Sequence, residues 1–134
     1  MHPPQPGDVL LDRYTLIRRL GSGLGGETWA AHGPDRAVAV KMIRNQNERA
    51  ITDLLREASL LRRLRHPHVV IYREFADRPD EGVTYLVTDL ARGGDLETYI
   101  HTHGPRSPGQ IAQLGQQLIS ALRVLHQHGV LHRD

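Results

Sequence analysis

The sequence contains no cysteine, which excludes disulfide frameworks, thiolate zinc sites and cysteine nucleophiles. It also lacks a dense basic block, because its 17 basic and 15 acidic residues are spread along the chain and leave a net charge of +2. A nucleic-acid partner is therefore not implied. No run approaches the ~18 apolar residues of a membrane helix, and residues 1–7 have no signal-peptide pattern, so we expect a cytoplasmic protein without a membrane segment.

Lysine is almost absent as well. Of the 17 basic residues, all are arginine except Lys41. A single lysine must fall somewhere, so its position proves nothing by itself. The sharper interpretation is that this position requires a compact ammonium group where a guanidinium would not fit.

What the sequence does contain is the composition of one globular domain that opens with strands. Its 134 residues are 39% hydrophobic and 24% charged, which is enough for one core. Strand-like runs cover residues 14–20, 27–32 and 37–43. The turns between these runs are short, so the pattern predicts an antiparallel meander.

A change of period after the third run predicts a helix inserted into this sheet. From about Asn47 the apolar residues follow the spacing of an amphipathic helix, which Pro67 must end. Two further strand-like runs, residues 69–72 and 83–88, are separated by a polar turn at 77–82. The first ninety residues therefore predict a five-stranded antiparallel sheet with one helix after the third strand.

The last forty residues are predicted to be helical. Residues 95–100 suggest a short helix that Asp95 caps. A longer helix follows, with Ser107 as its N-cap, Pro108 in its first turn and Gly129 at its end.

A glycine-rich stretch joins the first two predicted strands. Gly21, Gly23 and Gly26 have the spacing G-x-G-x-x-G, which alone is a weak signal because dinucleotide-binding folds share it. A dinucleotide site needs a helix that begins at the motif, whereas this segment is strand-like and a turn at Gly33 cuts it short. A hairpin that folds over phosphates is the better interpretation, and a flexible hairpin without a ligand is the alternative.

Candidate binding residues follow on the next strand and helix. Lys41 lies two residues after Ala39, so both face the same side of the pleat, with Thr28 predicted to line the same cavity. Ala39 leaves room for a flat ring, and Lys41 could reach phosphates below the glycine-rich loop. Glu57 lies on the rim of the helix's apolar stripe and could hold the ammonium group in place. The alternative is that Glu57 is a surface residue beside Arg56.

Six motifs in register now identify a resemblance. They are Gly21-Ser22-Gly23-Leu24-Gly25-Gly26-Glu27-Thr28, Ala39-Val40-Lys41, Glu57 followed by Arg65-His66-Pro67-His68-Val69-Val70, Tyr85-Leu86-Val87-Thr88-Asp89-Leu90, Gly93-Gly94-Asp95-Leu96 and His132-Arg133-Asp134. In this order they resemble the motifs of a serine/threonine protein kinase of bacterial type, over residues 12–134.

The resemblance implies an α+β fold and a division of the chain. Residues 1–11 would be a Pro-rich lead, and residues 12–134 part of a protein kinase domain. Residues 12–90 would form the N-lobe, a five-stranded antiparallel sheet plus one helix. Residues 91–134 would form the first helices of an incomplete helical C-lobe.

The resemblance also implies that ATP binds and that particular residues contact its phosphates. Lys41 would pair with the α and β phosphates, Glu57 would position Lys41, and Asp134 would accept the proton of a protein substrate's hydroxyl. The loop that would cover the phosphates consists of Gly21, Ser22, Gly23, Leu24, Gly25 and Gly26. Because Gly25 stands at the loop tip, where the family usually has a side chain, we expect a looser loop.

A second implied set of residues would contact the adenine. Thr28 and Ala39 would sandwich the ring, although Thr28 replaces the family's usual valine. Thr88 would be the gatekeeper, and Asp89 to Ala91 would be the hinge whose backbone groups hydrogen-bond the adenine edge.

The resemblance places the family's Mg²⁺-binding motifs after Asp134. The catalytic-loop Asn and the Asp-Phe-Gly motif are not among residues 1–134, so we expect Mg²⁺ to bind only in a complete kinase domain and this chain alone to be inactive. The histidine pairs do not converge with a third ligand, so no metal site is predicted. The alternative function is a non-catalytic, kinase-like module that binds a protein partner. The helix from Ser107 to Gly129 would also lack cover for its apolar face, which favours self-association.

Overall fold

The structure, a computed structural model, describes residues 2–23, 26–64, 66–91, 104 and 107–127, with side chains up to residue 123 in the last stretch. The chain divides into two compact units. The first consists of residues 1–63 and 71–90, and the second of residues 64–70 and 91–134. Each unit is described by itself.

The first unit is built on an antiparallel sheet of six strands in the order β1-β2-β3-β4-β6-β5. Helix α1, Glu48–Arg63, follows β4 in the chain. The strands are β1 Val9–Leu10, β2 Tyr14–Gly23, β3 Gly26–His32, β4 Ala37–Arg44, β5 Tyr72–Arg78 and β6 Val83–Asp89. The predicted α+β fold, with a helix inserted after the meander, is confirmed.

The predicted number of strands was too low by one. Val9 pairs with Thr15 and Leu10 with Tyr14, so the end of the Pro-rich lead adds a short edge strand to the sheet. The turn that follows is tight, because Leu11 and Asp12 have positive φ angles of 52° and 60°. A strand of two residues is too short to produce a visible alternation in the sequence.

The predicted fourth strand, at residues 69–72, was placed too early in the chain. Residues 69–71 are not a strand, and β5 begins at Tyr72 and extends through charged residues to Arg78. The turn that follows covers residues 79–82, and its last residue, Gly82, has a φ of 69° that favours glycine. The strand tolerates charged side chains because it lies at the edge of the sheet, where polar residues remain accessible to water.

One face of the sheet packs the hydrophobic core. Alternate residues of the strands point to this face, and Val40 and Val87 are fully buried there. We call it the core face. It comprises Leu11, Tyr14, Leu16, Trp29, Ala31, Val38, Val40, Met42, Tyr85 and Val87.

Helix α1 covers part of the opposite face. It contacts β4, β5 and β6, and its buried residues are Leu54, Ala58 and Leu61. The predicted start near Asn47 is confirmed, since the Asn47 side chain caps the helix by accepting the Ala50 N–H at 3.0 Å.

In the second unit, helix α2 spans Pro108–Gln127. The Ser107 hydroxyl accepts the Gln110 N–H at 3.2 Å, and the Gln110 side chain accepts the Ser107 N–H at 2.9 Å. This reciprocal capping confirms the predicted N-cap. The predicted helix at 95–100 and the predicted end at Gly129 lie outside the described residues. Within the described part of the chain, no helix is long and apolar enough to span a membrane.

Candidate functional site

The strand register gathers four of the predicted site residues on one face of the sheet. Thr28 lies opposite Lys41 across β3 and β4, and Ala39 lies opposite Thr88 across β4 and β6. Ala39 and Lys41 are two residues apart on β4, so all four side chains share a face. We call these four residues the open face, because each is half-buried and has at least one buried neighbour along its strand.

Lys41 and Glu57 form an ion pair beside the open face. The Lys41 Nζ lies 3.1 Å from the Glu57 Oε2, and the two side chains are 42% and 43% exposed. Glu57 therefore reaches the sheet instead of remaining a free surface residue. An ion pair this exposed adds little to stability, roughly 1 kcal/mol or less, so its effect is to orient the ammonium group.

A cavity of about 420 Å³ lies between the β2–β3 hairpin, β4 and α1. Among its described lining residues, Lys41 is the single basic one, and Glu27, Asp53 and Glu57 are acidic. The lining residues are Gly21, Ser22, Gly23, Gly26, Glu27, Thr28, Lys41, Ile43, Ala50, Asp53, Leu54 and Glu57. The arrangement can hold an anionic group against the oriented ammonium of Lys41. The three carboxylates repel such a group and limit the affinity with which it binds.

The three glycines of the motif have different surroundings. A Cβ added at Gly21 or Gly23 would meet nothing within 4 Å, so the space beside these two glycines is open. A Cβ added at Gly26 would lie 2.2 Å from the Met42 carbonyl oxygen, so this glycine is required by the close approach of β3 to β4. The sequence motif could not distinguish these two reasons. Leu24 and Gly25 lie outside the described residues.

Beyond Thr88, the end of β6 is fixed on both sides. The Asp89 N–H donates to the Ile71 carbonyl at 2.9 Å, and the Leu90 N–H donates to the Ala37 carbonyl at 3.4 Å. The Asp89 carboxylate accepts two hydrogen bonds from Arg73, from Nε at 2.5 Å and from the terminal nitrogen at 2.8 Å. These bonds from Arg73 are the main reason that the pKa of Asp89 is lowered.

Comparison with known protein families identifies the family to which this chain belongs. The family model of the protein kinase domain matches residues 14–134. The chain belongs to the protein kinase family. The sheet with α1 is the kinase N-lobe, and the second unit contains the start of the C-lobe, as predicted.

Three relatives of this kinase chain are serine/threonine kinases from different organisms. The human serine/threonine-protein kinase ULK3 is 34% identical over 100% of this chain and 29% of its own length. The kinase PkaB of Streptomyces coelicolor is 34% identical over 91% of this chain and 30% of its own length. The CBL-interacting serine/threonine-protein kinase 7 of Arabidopsis thaliana is 38% identical over 96% of this chain and 31% of its own length. The chain thus spans about three tenths of the length of these relatives.

In this kinase N-lobe, the structure brings together most of the residues that the sequence singled out. Glycines 21, 23 and 26 with Ser22 line the cavity that also contains Thr28, Lys41 and Glu57. Ala39 and Thr88 extend the same face, and Asp89 follows directly. Ala91 is exposed, and Asp134 lies outside the described residues.

Arg73 is a residue that the sequence did not point to. It follows an apolar run and precedes Glu74, so its charge suggested no particular contact. Only the pairing of β5 with β6 brings it to Asp89. A larger cavity, of about 600 Å³, lies against the other side of the hairpin and includes neither Lys41 nor Glu57.

Proposed function

We propose that this chain provides the ATP-binding part of a serine/threonine protein kinase that transfers the γ-phosphate of ATP to protein Ser or Thr hydroxyls. The observation that carries the proposal is the ion pair of Lys41 with Glu57 at 3.1 Å, in a cavity also lined by two glycines that have open space beside them. An ammonium group held by a carboxylate is oriented for phosphate contact. The family resemblance supports the same assignment.

Each group has a defined role in this proposal. The loop from Gly21 to Gly26 covers the phosphates with its backbone amides, and Lys41 contacts the α and β phosphates. Thr28 and Ala39 contact the adenine from one side, because both side chains lie on the same face of the sheet. Three carboxylates line the same cavity as Lys41 and repel the negatively charged phosphates. We therefore expect weak binding of ATP to residues 1–134 alone.

The adenine edge and the substrate hydroxyl complete the set of roles. Thr88 is proposed as the gatekeeper, and Asp89 to Ala91 as the hinge that hydrogen-bonds the base. Asp134 is proposed as the group that accepts the substrate proton. Bound Mg²⁺ neutralises charge on the β and γ phosphates in kinases, and residues 1–134 contain no Asp-Phe-Gly motif to hold it. We therefore expect no phosphoryl transfer from these residues alone.

Titration with a fluorescent ATP analogue tests the assignment of Lys41. Lys41→Ala should weaken binding by about tenfold or more, because a hydrogen bond to a charged group contributes roughly 1.5–3 kcal/mol. Arg44→Ala is the matched control, since Arg44 lies on the same strand but does not line the 420 Å³ cavity. Equal affinities of wild type and Lys41→Ala would remove Lys41 from the site.

A second candidate function is a non-catalytic, kinase-like module that binds a protein partner. The supporting observation is an exposed apolar surface on α2, where Ile111 and Ile119 are each 58% exposed and Leu118 and Leu122 belong to the same surface. On this proposal, residues 1–134 alone also self-associate. Sedimentation of wild type and Ile119→Glu tests this, because a monomeric wild type at high concentration contradicts it.

A further inference from the structure

We infer that Arg73 is a positioning residue for nucleotide recognition, which holds the Asp89 end of β6 in place for contact with the base. The inference rests on the proposed function, because it assigns the hinge to the segment that begins at Asp89. Arg73 is on β5 and makes no contact with the 420 Å³ cavity. It would act on the nucleotide only through Asp89.

A β-bulge aims Arg73 at Asp89. On β5, Tyr72 lies opposite Thr88 and Glu74 lies opposite Val87, so Arg73 is an extra residue in the register. Without the bulge, Arg73 would lie opposite Val87, whose side chain is fully buried in the core face. Bulges commonly redirect a side chain in this way near functional sites.

The contact between Arg73 and Asp89 is stronger than an ordinary surface ion pair. It is bidentate, with two parallel N–H groups on one carboxylate, and the side chains are only 30% and 28% exposed. Bidentate pairs fix orientation as well as distance. Arg36 lies 3.8 Å from the same carboxylate and adds a second positive charge. Both arginines lower the pKa of Asp89, which means that they stabilise its charged carboxylate.

The consequence concerns the backbone of Asp89. The same residue that carries this carboxylate accepts the Thr88 hydroxyl on its carbonyl oxygen at 3.3 Å and donates its N–H to Ile71. Anchoring of the side chain and of the N–H together restricts rotation of the peptide group that follows. A base that hydrogen-bonds this peptide group would therefore meet a preorganised acceptor, which lowers the entropic cost of binding.

The expected effect is selective for the base. Loss of the anchor should weaken contact with the adenine, whereas phosphate contact at Lys41 should not change. Inorganic tripolyphosphate, which has no base, and GTP, which presents a carbonyl where adenine presents an amino group, separate the two contributions. A residue with a merely structural role would lower all three affinities together.

The test compares Arg73→Gln, Asp89→Asn and the double variant in the full chain by calorimetric titration. Each single variant should lower the affinity for ATP by about five- to tenfold, which corresponds to roughly one hydrogen bond. Each should also reduce the preference for ATP over GTP. Tripolyphosphate affinity should stay unchanged, and the double variant should lose no more than either single one. Arg78→Gln, on the same strand, is the matched control.

Three results would contradict the inference or its basis separately. If Arg73→Gln binds ATP as wild type does, the positioning role is wrong and the proposed function stands. If Arg73→Gln lowers the affinities for ATP and for tripolyphosphate equally, Arg73 supports the fold in general, and this result also overturns the inference. If wild type binds neither ligand, the proposed function itself fails.

Discussion

The two faces of the sheet belong to the same strands but differ in how deeply their side chains are buried. On the core face, Trp29 is 5% exposed and Val40 is fully buried. On the open face, Thr28, Ala39 and Lys41 stay half-buried, although they alternate with those core residues. Because successive residues point to opposite faces, neighbouring positions along one strand should serve separate purposes.

This difference teaches where stability and binding reside. Burial of apolar area stabilises the fold, and the main buried cluster of the strands lies on the core face. Binding requires accessible polar groups and small side chains, and these are found on the open face. Substitutions that are one residue apart should therefore have separable effects on unfolding and on nucleotide affinity.

The largest effect is expected at Trp29. Trp29→Ala should lower the free energy of unfolding by about 3–5 kcal/mol, because it leaves a large cavity in the core face. Trp29→Phe should cost much less, since the indole N–H is buried and has no acceptor among the described residues. Urea denaturation measures both. Thr28→Ala, one position away on the open face, is the control, and an equal loss there would break the comparison.

The next effect sharpens the comparison within the glycine motif. Gly26→Ala should lower the free energy of unfolding by about 1–3 kcal/mol, because its Cβ would overlap the Met42 carbonyl oxygen. The free energy of unfolding of Gly23→Ala should lie within about 1 kcal/mol of the wild-type value, because the added Cβ would enter open space. Thermal unfolding of the two variants measures the difference. Equal unfolding temperatures would show that Gly26 is not sterically required.

The sequence predicted the strands of the open face well but predicted the edges of the sheet poorly. β4 alternates between half-buried and buried residues from Ala37 to Met42, so the shared face of Ala39 and Lys41 followed from period alone. β5 was predicted at the wrong position because its charged residues look like a turn until their partners elsewhere in the chain are known. Glu74, for example, accepts hydrogen bonds from Arg13 and Tyr14, sixty-one and sixty positions away.

The candidate site divides in the same way. Lys41 and Glu57 could be nominated from spacing, since a strand and the following helix must lie close together. The contact of Arg73 with Asp89 depends on the β-bulge in β5, which is one extra residue in the register of an edge strand. The periodicity of the sequence does not reveal a bulge of this kind. The steric need for Gly26 likewise depends on how closely two backbones approach.

A smaller effect is expected when the open face is filled. Ala39→Leu places a larger side chain between Thr28 and Thr88, where the flat ring is proposed to lie. We expect ATP affinity to fall by about tenfold, roughly 1.4 kcal/mol, while tripolyphosphate affinity is unchanged. Calorimetric titration with both ligands measures this. An unchanged ATP affinity would mean that the base does not lie against Ala39.

The smallest effect concerns an ionisable group of the core face, Tyr85. Its hydroxyl donates to Glu81 at 3.1 Å, and burial together with this bond raises the pKa of Tyr85. The folded state keeps this tyrosine neutral, whereas the unfolded state ionises near its ordinary pKa of about 10. Stability is therefore complete below that pH and is lost as pH rises through the higher folded pKa.

Tyr85→Phe should lose about 1 kcal/mol of stability at neutral pH, the worth of one hydrogen bond, but should show a shallower decline in alkali. The decline should not vanish, because burial also raises the pKa of Tyr14, which titrates in the same direction. The double variant with Tyr14→Phe should therefore flatten the curve further. Urea unfolding between about pH 8 and 11 measures the slopes. If wild type and Tyr85→Phe decline in parallel, Tyr85 does not couple alkaline titration to the stability of the core face.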